Sequence, residues 1–508
     1  MNGPVFVACD MGTTLVKAGV VDLAGNVLGL ASVDSRLITQ ELGVVEQDLL
    51  EIERAAHSAI SLAIERAGRR SDIAGVSFSS QMAGIGAVGE DFIPVAPFDS
   101  WLDSRCNIDI HEMKAHAERV TLVSGGPPTY SHGTKQRWLK REQPQIYAAT
   151  VKFQVPGPFV AARLAGLSIE DAYIDEANLC FSNLADTNSA TWSPELIALF
   201  GLDIEKLPRI LNPLDIIGWV TPQAAITTGI PEGTPIAAGG GDQVVACLGA
   251  GVSEPGQASD SAGTASLFAM CLDRWAPDVE RMSMVTAKAI GSDRYLSFSY
   301  VNGGGLGLEW FRNTVVADSS SAEKVFAELE LSASKVPAGS VGLMWLPHFQ
   351  GGVTPPKPHL RSGWIGITGI HGRGHLYRSV LEGIAYQYGE WASRAPSVLG
   401  APLTEVRAMG GGAKSALWLQ IKADVLGVPF LRMSQSECAL LGNALIAASA
   451  TRHISDISET VKGWHSMSSP VTPDAMAHES YRRLLEIFGM LTEQTDPVFI
   501  ALQDFLSA

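Results

Sequence analysis

The sequence predicts an α/β protein with two domains, and three observations support that fold class. The chain has 508 residues, whereas a single hydrophobic core seldom serves more than about 300. Short apolar runs with strand character, such as residues 5–9, alternate with runs of helical period, such as residues 48–64. A Gly-Thr turn among small residues occurs at Gly12-Thr13 and again, about 250 residues later, at Gly263-Thr264.

The repeated turn predicts two related halves, which we place at residues 1–252 and 253–508. The boundary is set in a Gly/Ser-rich passage over residues 249–256, because such composition is typical of loops and linkers. Each half would then offer one phosphate loop.

The composition excludes several classes of function. The net charge is −16 without a long block of Lys or Arg, which argues against nucleic acid as a partner. No apolar run reaches about 18 residues, so we expect no membrane partner, and the first residues lack the basic region of a signal peptide. The six cysteines form no CxxC pair, which predicts reduced, buried thiols in a cytoplasmic protein. No HExxH motif occurs, so we expect no protein-ligated transition metal.

The elements are predicted from apolar periodicity and turn residues. The chain opens as a strand meander, whose second and third strands are divided by the turn Ala24-Gly25-Asn26. Asp48 and Glu51 have the spacing of a capping box at a helix start. The predicted elements are strands at 5–9, 15–23, 27–33, 73–78, 235–238 and 406–409, helices at 48–64, 244–248 and 416–426, and helix with loop over 111–235.

The central stretch Gly239-Gly240-Gly241-Asp242 is the first candidate for chemistry. Three glycines after a short apolar strand let the backbone approach a ligand closely. Asp242 stands at the mouth of this turn and at the start of an apolar helical segment, which suits a general base over a bound hydroxyl. The alternative is that Asp242 only caps the helix, a position that Asp favours.

The first turn of the chain, Asp10-Met11-Gly12-Thr13-Thr14, is the second candidate. Such a turn can direct backbone N–H groups and two hydroxyls at a phosphate, while the Asp positions a hydrated cation. The alternative is a well-formed hairpin turn without a ligand.

A third candidate combines an aromatic ring with two opposite charges. Trp101, Asp103 and Arg105 occupy alternate positions and would project together from an extended segment. An aromatic wall with a carboxylate and a guanidinium suits a polyhydroxylated molecule. The alternative is a surface pair of Asp103 and Arg105 beside a core Trp.

A fourth candidate lies in the second half, where a strand leads through Gly410-Gly411-Gly412-Ala413-Lys414-Ser415 into a helix. A glycine turn before a helix N-terminus favours backbone approach to a nucleotide. Ala413 interrupts the Walker A order, and the third Gly of GxGxxG is missing, so neither of those motifs is present. The alternative is a helix start that simply requires small residues.

Together these segments resemble the FGGY carbohydrate kinases, which belong to the actin/hexokinase-like ATPases. The pieces occur in the family's order from residue 5 to residue 450, and residues 362–367 with 375–382 look like a full match to its C-terminal signature. Residues 130–142 meet the N-terminal signature in part. His132 and Gln136 stand where the family usually has a small or Pro residue and an apolar one.

The resemblance implies two ribonuclease-H-like domains of the actin/hexokinase ATPase type around a central cleft, with ATP and Mg²⁺ as cofactors. It implies that Asp242 is the catalytic base and that Asp10 holds the metal. The residues implied to bind ATP are Gly12, Thr13 and Thr14 in the first phosphate motif, Gly263 and Thr264 in the second, and Gly411, Gly412, Ser415, Gly442 and Asn443 in the adenosine region. The residues implied to contact the substrate are Gln81, Met82, Trp101, Asp103, Arg105 and Gln243.

The resemblance predicts an ATP-dependent carbohydrate kinase acting on a primary hydroxyl of a ketopentose such as xylulose. Ala83 stands where xylulokinases usually carry His, residues 351–355 read Gly-Gly-Val-Thr-Pro in place of Gly-Glu-Arg-Thr-Pro, and Gln243 is more like the glycerol kinases. Glycerol, erythritol and ribulose are therefore kept as alternative substrates. The alternative from another class is a nucleotide-switch ATPase, which would turn over ATP without any sugar. We leave open whether the chain forms a homodimer.

Overall fold

The computed structural model describes residues 3–39, 41, 43–263, 265–317, 320–395, 402–465 and 469–507. The chain divides into two compact units. Unit 1 comprises Met1–Ser253, Asp273–Leu296 and Glu437–His465, and unit 2 comprises Glu254–Leu272, Ser297–Ser436 and Ser466–Ala508. Residues 273–296 and 437–465 thus belong to unit 1, although they follow the predicted boundary after residue 252.

Most elements of the described residues can be given in chain order. The strands of the main sheet of unit 1 are β1 Val5–Met11, β2 Leu15–Asp22, β3 Val27–Asp34, β4 Ile73–Ser80, β5 Ile216–Trp219, β6 Pro235–Ala237 and β7 Gly240–Gly241, and those of unit 2 used below are β8 Gln257–Ala262, β9 Ser266–Leu272, β10 Tyr295–Val301, β11 Glu405–Met409 and β12 Phe430–Arg432. Other short strands are Glu46–Gln47, Gly86–Val88, Phe98–Asp99, Lys152–Gln154, Tyr173–Asp175, Ala185–Asp186, Thr191–Trp192, Arg209–Leu211, Val285–Lys288, Met344–Leu346 and Gly363–Ile365. The α-helices are α1 Leu49–Ala67, α2 Asn107–Met113, α3 Ala117–Ser124, α4 His132–Glu142, α5 Pro144–Ala149, α6 Pro156–Ala165, α7 Pro194–Phe200, α8 Pro222–Thr228, α9 Asp242–Gly249, α10 Gly305–Trp310, α11 Ala322–Ala333, α12 Arg373–Ala392, α13 Ala416–Leu426, α14 Cys438–Ala450, α15 Ile457–Trp464 and α16 Ala475–Ser507.

The main sheet of unit 1 contains the predicted meander. Its strand order is β5-β6-β4-β1-β2-β3, and β7 also pairs with β4. Strands β1, β2 and β3 are antiparallel neighbours, whereas β4 runs parallel to β1. Helix α1 begins as predicted, because the Asp48 carboxylate accepts a hydrogen bond from the backbone N–H of Leu50 at 2.8 Å.

The prediction of helix and loop over residues 111–235 is wrong in part. Several short strands lie in this range, and β5 joins the main sheet beside β6. Most of these strands are only two to four residues long. A period of two cannot be distinguished over so few positions, so tertiary pairing decides their conformation.

The carboxyl ends of three parallel strands meet at one edge of this sheet. The register places Asp10 of β1 beside Ser79 of β4, and Ser79 beside Gly240 of β7. Residues that follow these strands are therefore brought together, although they are far apart in sequence. This edge gathers the first turn of the chain, the segment after residue 80 and the start of α9.

Helix α14 packs closely against α9. A Cβ atom added to Gly249 would lie 1.9 Å from the carbonyl oxygen of Cys438, and one added to Gly442 would lie 2.0 Å from that of Val245. Glycine at both positions allows the two backbones to touch. Helix α14 thus supports the helix that begins at Asp242.

Unit 2 contains a mixed sheet with the strand order β10-β9-β8-β11-β12. Strands β8 and β9, which come before and after the second Gly-Thr pair in the sequence, are antiparallel. Strand β11 runs parallel to β8 and leads through the predicted glycine turn into α13. Inside this unit, Lys422 of α13 donates a hydrogen bond of 2.6 Å to Asp260 of β8, and both side chains are fully buried.

Two predictions about the whole chain can be compared with the described residues. The six cysteine thiols are buried, as predicted. Within the ranges given above, no helix combines the length and apolar character needed to cross a bilayer.

Candidate active site

Asp242 is held by a turn that requires glycine. Gly239 has a φ of 77°, and a Cβ atom there would lie 2.0 Å from the carbonyl oxygen of Phe78. Gly241 precedes the helix, and Asp242 is the first residue of α9. The Asp242 carboxylate accepts hydrogen bonds from the backbone N–H of Gln243 at 2.8 Å and from its side-chain amide at 3.1 Å. Asp242 therefore lies in the first helical turn and does not occupy the N-cap position itself.

The environment of Asp242 changes its acidity. Burial, together with the negative charge of Asp10, raises the pKa of Asp242 to about 7. The hydrogen bonds from Gln243 act in the opposite direction but are weaker. A carboxylate with this pKa can accept a proton near neutral pH, which is what a general base requires.

Asp10 is oriented by a chain of hydrogen bonds in unit 1. The Ser79 hydroxyl donates to Asp10 at 2.6 Å, and the side-chain amide of Asn443 donates to the Ser79 hydroxyl at 2.7 Å. Burial is the main cause that raises the pKa of Asp10 above its ordinary value. Asn443 is fully buried. Its side-chain amide also donates to the Cys9 carbonyl, and its side-chain carbonyl accepts from the Ser77 hydroxyl. Asn443 thus helps to position Ser79 and Asp10, and its contact with the nucleotide stays a prediction.

The first turn of the chain presents free donors. Gly12 donates its backbone N–H to the Leu15 carbonyl at 3.0 Å, which closes the turn. Within the part of the chain that the structure describes, the backbone N–H groups of Thr13 and Thr14 donate no hydrogen bond. Two such donors beside a carboxylate fit a phosphate group with its cation.

The residues of this edge also fit Mg²⁺. Asp10 and Asp242 are close enough for the charge of one to raise the pKa of the other. Among the described residues, no group of three or more His, Cys, Asp or Glu side chains could hold a metal ion by itself. Mg²⁺ typically uses one or two carboxylates together with water and substrate phosphates, so this arrangement suits it.

The segments predicted to contact the substrate have partners in unit 1 that the sequence did not suggest. The Trp101 indole N–H donates to the Thr13 hydroxyl at 2.8 Å. Gln81 is 1% exposed, and its side-chain amide donates to the side-chain carbonyl of Gln47 at 2.7 Å. Met82 is buried against Gly241. All three side chains therefore border the turns that carry the first phosphate motif and Asp242.

Asp103 and Arg105 form an ion pair, but it is not the surface pair named as the alternative, because Asp103 is buried. The guanidinium of Arg105 lies 2.9 Å from Asp103 and 2.7 Å from Glu46, and it stacks on the Trp138 ring at 4.4 Å. Asp103 is buried and also accepts the backbone N–H of Val45 at 2.8 Å. The expectation of an extended segment is wrong. Residues 100–106 contain turns, one of them closed by the bond from the Arg105 backbone N–H to the Asp103 carboxylate.

Lys135 is a site residue whose role the sequence did not reveal. Its side chain is fully buried and donates to the Asp99 carboxylate at 2.7 Å and to the carbonyls of Ser100 and Asp103 at 2.8 and 3.0 Å. Burial raises the pKa of Asp99 to about 6, and the charge of Lys135 opposes that increase. Lys135 thus fixes the segment that carries Trp101. The N-terminal signature contained this Lys, but spacing alone could not show its partners.

Unit 2 contains a cavity of about 590 Å³ that gathers several predicted nucleotide residues. Gly263, Gly411, Gly412 and Ser415 all line it. A Cβ atom on Gly263 or on Gly411 would meet no atom closer than 3.9 Å, so both glycines border open space. The volume lies within the range of about 300–1,000 Å³ that is usual for small-molecule sites. Thr264 lies outside the described residues.

Ser415 also has the structural role named as the alternative, because it starts a helix. Its hydroxyl accepts the backbone N–H of Trp418 at 3.0 Å and caps α13. Sequence analysis missed the opposite walls of the cavity, which come from α10, α11 and α12. The residues of those walls are Gly305, Leu306, Leu308, Glu309, Glu323, Phe326, Ala327, Glu330, Tyr377 and Leu381. No sequence signal connects them with the glycine turn, because they approach it only through the fold.

Comparison with known proteins agrees with this arrangement. Residues 5–249 match the N-terminal domain, and residues 258–451 the C-terminal domain, of the FGGY family of carbohydrate kinases. The xylulose kinase of Bacillus subtilis (strain 168) is 24% identical over 98% of this chain and 99% of its own. The glycerol kinase of Alkalilimnicola ehrlichii is 30% identical over 88% of this chain and 90% of its own. The crystal structure of ligand-bound xylulose kinase from Lactobacillus acidophilus superposes with a TM-score of 0.90 at 22% identity, covering 98% of this chain and 100% of that chain.

The chain belongs to the FGGY family of carbohydrate kinases, and among them it is xylulokinase-like. It is therefore a phosphotransferase with a sugar and ATP as its small-molecule substrates. The predicted fold class, two α/β domains of the actin/hexokinase ATPase type, is confirmed.

Proposed function

We propose that the protein transfers the γ-phosphoryl group of ATP to a primary hydroxyl of a ketopentose such as xylulose, with Asp242 as the general base. The observation that carries this proposal is the setting of Asp242. It lies in the first turn of α9, after a glycine turn, with Asp10 nearby and a pKa raised to about 7. Carboxylates with raised pKa values cluster at functional sites, which favours a chemical role for Asp242.

The reaction balances with this single base. The substrate hydroxyl oxygen forms a bond to the γ-phosphorus, the bond from that phosphorus to the bridging oxygen breaks, and ADP leaves. The hydroxyl proton passes to the Asp242 carboxylate. Because the transition state is loose, the protein mainly positions reactants and balances charge. General base catalysis of this kind contributes about 10²- to 10⁴-fold.

The chain's own groups account for phosphate binding. The free N–H groups of Thr13 and Thr14 are suited to phosphate oxygens, and the open turn at Gly263 provides a second approach. Asp10 would hold Mg²⁺, which would supply positive charge against the phosphates. Thr264 is proposed to contact a phosphate together with Gly263. Gly411 and Gly412 would border the adenosine.

The substrate would be enclosed by Trp101, Met82 and Gln243, with Asp103 and Arg105 holding the Trp101 segment in place. Ala83 is buried and has a left-handed backbone conformation with φ of 63°. It stands where xylulokinases usually carry His, which is the reason to test other polyols beside xylulose. Glycerol is the second candidate, because Gln243 resembles the glycerol kinases and a glycerol kinase is 30% identical to this chain.

A coupled assay of ADP release tests the proposal. Purified protein is incubated with ATP and Mg²⁺ and with xylulose, ribulose, erythritol or glycerol in turn. We expect xylulose to give the highest kcat/KM and Asp242→Asn to abolish the sugar-dependent rate. Asp175→Asn is the matched control, because Asp175 is also buried with a pKa raised to about 6 but is paired with Asn178. The proposal fails if no compound raises ADP release above the sugar-free rate.

A further inference from the structure

We propose that Gln47 is a positioning residue that holds the first phosphate loop, residues 11–14, and couples it to the segments that border the sugar. This inference rests on the proposed function, and it concerns a residue to which neither the motifs nor the predicted site assign any role. Its basis is a set of hydrogen bonds that converge on the loop from Gln47, Gln81, Trp101 and Ser35.

Gln47 lies at the centre of these hydrogen bonds. It is fully buried, and its side-chain amide donates to the Thr13 carbonyl at 3.1 Å and to the Ser35 hydroxyl at 2.7 Å. Its side-chain carbonyl accepts from the amide of Gln81 at 2.7 Å. The position therefore needs a group that donates twice and accepts once, which only an amide of this length supplies here.

The other hydrogen bonds to the loop are all accepted by oxygen atoms of the loop. The backbone N–H of Gln81 donates to the Met11 carbonyl at 3.0 Å, and the backbone N–H of Ser35 donates to the Thr14 carbonyl at 2.9 Å. The Trp101 indole holds the Thr13 hydroxyl at 2.8 Å. All these bonds engage oxygen atoms of the loop. The backbone N–H groups of Thr13 and Thr14 are left to face a phosphate.

Gln47 is itself attached to the Trp101 segment. Glu46 and Gln47 form a short antiparallel ladder with Asp99 and Phe98, and Glu46 also forms an ion pair of 2.7 Å with Arg105. Residues 98–105 therefore reach the loop by two routes, directly through Trp101 and indirectly through Gln47. A substrate that orders this segment would also order the phosphate donors, and sugar binding would promote transfer over ATP hydrolysis.

The variants Gln47→Met and Gln47→Glu separate the functions of this side chain. Methionine retains the length and removes all three bonds, whereas glutamate still accepts from Gln81 but cannot donate to Thr13. We expect both to lower kcat by about 10- to 100-fold, since small displacements of reacting groups have effects of this size. The KM for the sugar should change by less than about twofold in Gln47→Met, because Gln47 does not border the sugar.

Gln154→Met is the matched control. Gln154 is 2% exposed in unit 1, and its amide also donates to main-chain carbonyls, those of Phe153 and Tyr173. These hydrogen bonds of Gln154 do not reach the first loop. Gln154→Met should therefore lower the melting temperature as much as Gln47→Met does, but it should leave kcat unchanged. If Gln47→Met does not fold, Trp101→Phe serves as the second variant. It lies at a partly exposed position and removes the hydrogen bond to the Thr13 hydroxyl.

Hydrogen exchange gives a readout that does not depend on activity. Loss of Gln47 should increase the exchange rate of the Gly12 amide, whose bond to the Leu15 carbonyl closes the loop, whereas Gln154→Met should leave it unchanged. The inference is overturned if Gln47→Met and Gln154→Met have the same kcat and the same exchange at residues 11–15. If the wild type phosphorylates none of the sugars but exchange still rises in Gln47→Met, the loop inference is supported and the proposed function fails.

Discussion

Because its environment raises the pKa of Asp242, the rate of sugar phosphorylation should depend on pH. At a pKa of about 7, about one-tenth of the molecules carry the ionised carboxylate at pH 6 and about nine-tenths at pH 8. The general base works only when ionised, so kcat/KM for the sugar should rise about tenfold over this interval. An aspartate at the ordinary pKa of 3.8 would be ionised throughout and would give a flat profile.

The assay measures kcat/KM for sugar phosphate formation from pH 5.5 to pH 8.5, with MgATP and sugar both well below their KM values so that the pKa of the free enzyme governs the profile. Asp242→Asn is the control, because its residual rate should lack the inflection if Asp242 is the titrating group. In Asp10→Asn the inflection should move to lower pH, whatever the residual rate, since the Asp10 charge is one cause of the raised pKa. A flat wild-type profile between pH 6 and pH 8 would refute this reasoning.

Two further predictions concern unit 2. Lys422→Met should lower the free energy of unfolding by about 3–5 kcal/mol, because it removes the cation that pairs with the buried Asp260 carboxylate. The control Arg482→Met, in an exposed ion pair, should cost about 0–1 kcal/mol, and equal urea midpoints for the two variants would contradict the prediction. Gly411→Ala should raise the KM for ATP at an unchanged melting temperature, because its Cβ atom would enter open space. The exposed control Gly369→Ala should leave both values as in the wild type.

The parts of the fold that the sequence predicts well are those specified by local chemistry. The meander β1–β3, the Asp48 cap and the turn before Asp242 each depend on residues within a few positions of one another. Glycine at position 239 is required by its backbone φ and by the nearby Phe78 carbonyl, so the pattern of three glycines was informative. These are the cases in which a short stretch of chain decides its own conformation.

The parts that the sequence does not predict depend on distant pairs. Gln47 and Gln81 are 34 positions apart, and nothing in either stretch indicates that the two amides meet. Helix α14 brings Asn443 back to Ser79, more than 360 positions away, a contact that the resemblance, which placed Asn443 in the adenosine region, did not indicate. Trp101 likewise pairs with Thr13, 88 positions away. The expected extended segment fails for a local reason, since the Arg105 backbone N–H closes a turn on the Asp103 carboxylate.

The most direct test of the central claim is the rate of sugar phosphorylation by Asp242→Asn. The amide preserves the shape of the side chain but cannot accept the proton. We expect the sugar-dependent rate to fall by about 10²- to 10⁴-fold, while ATP affinity and the melting temperature stay close to those of the wild type. A rate within about twofold of the wild type would contradict the assignment of Asp242 as the base.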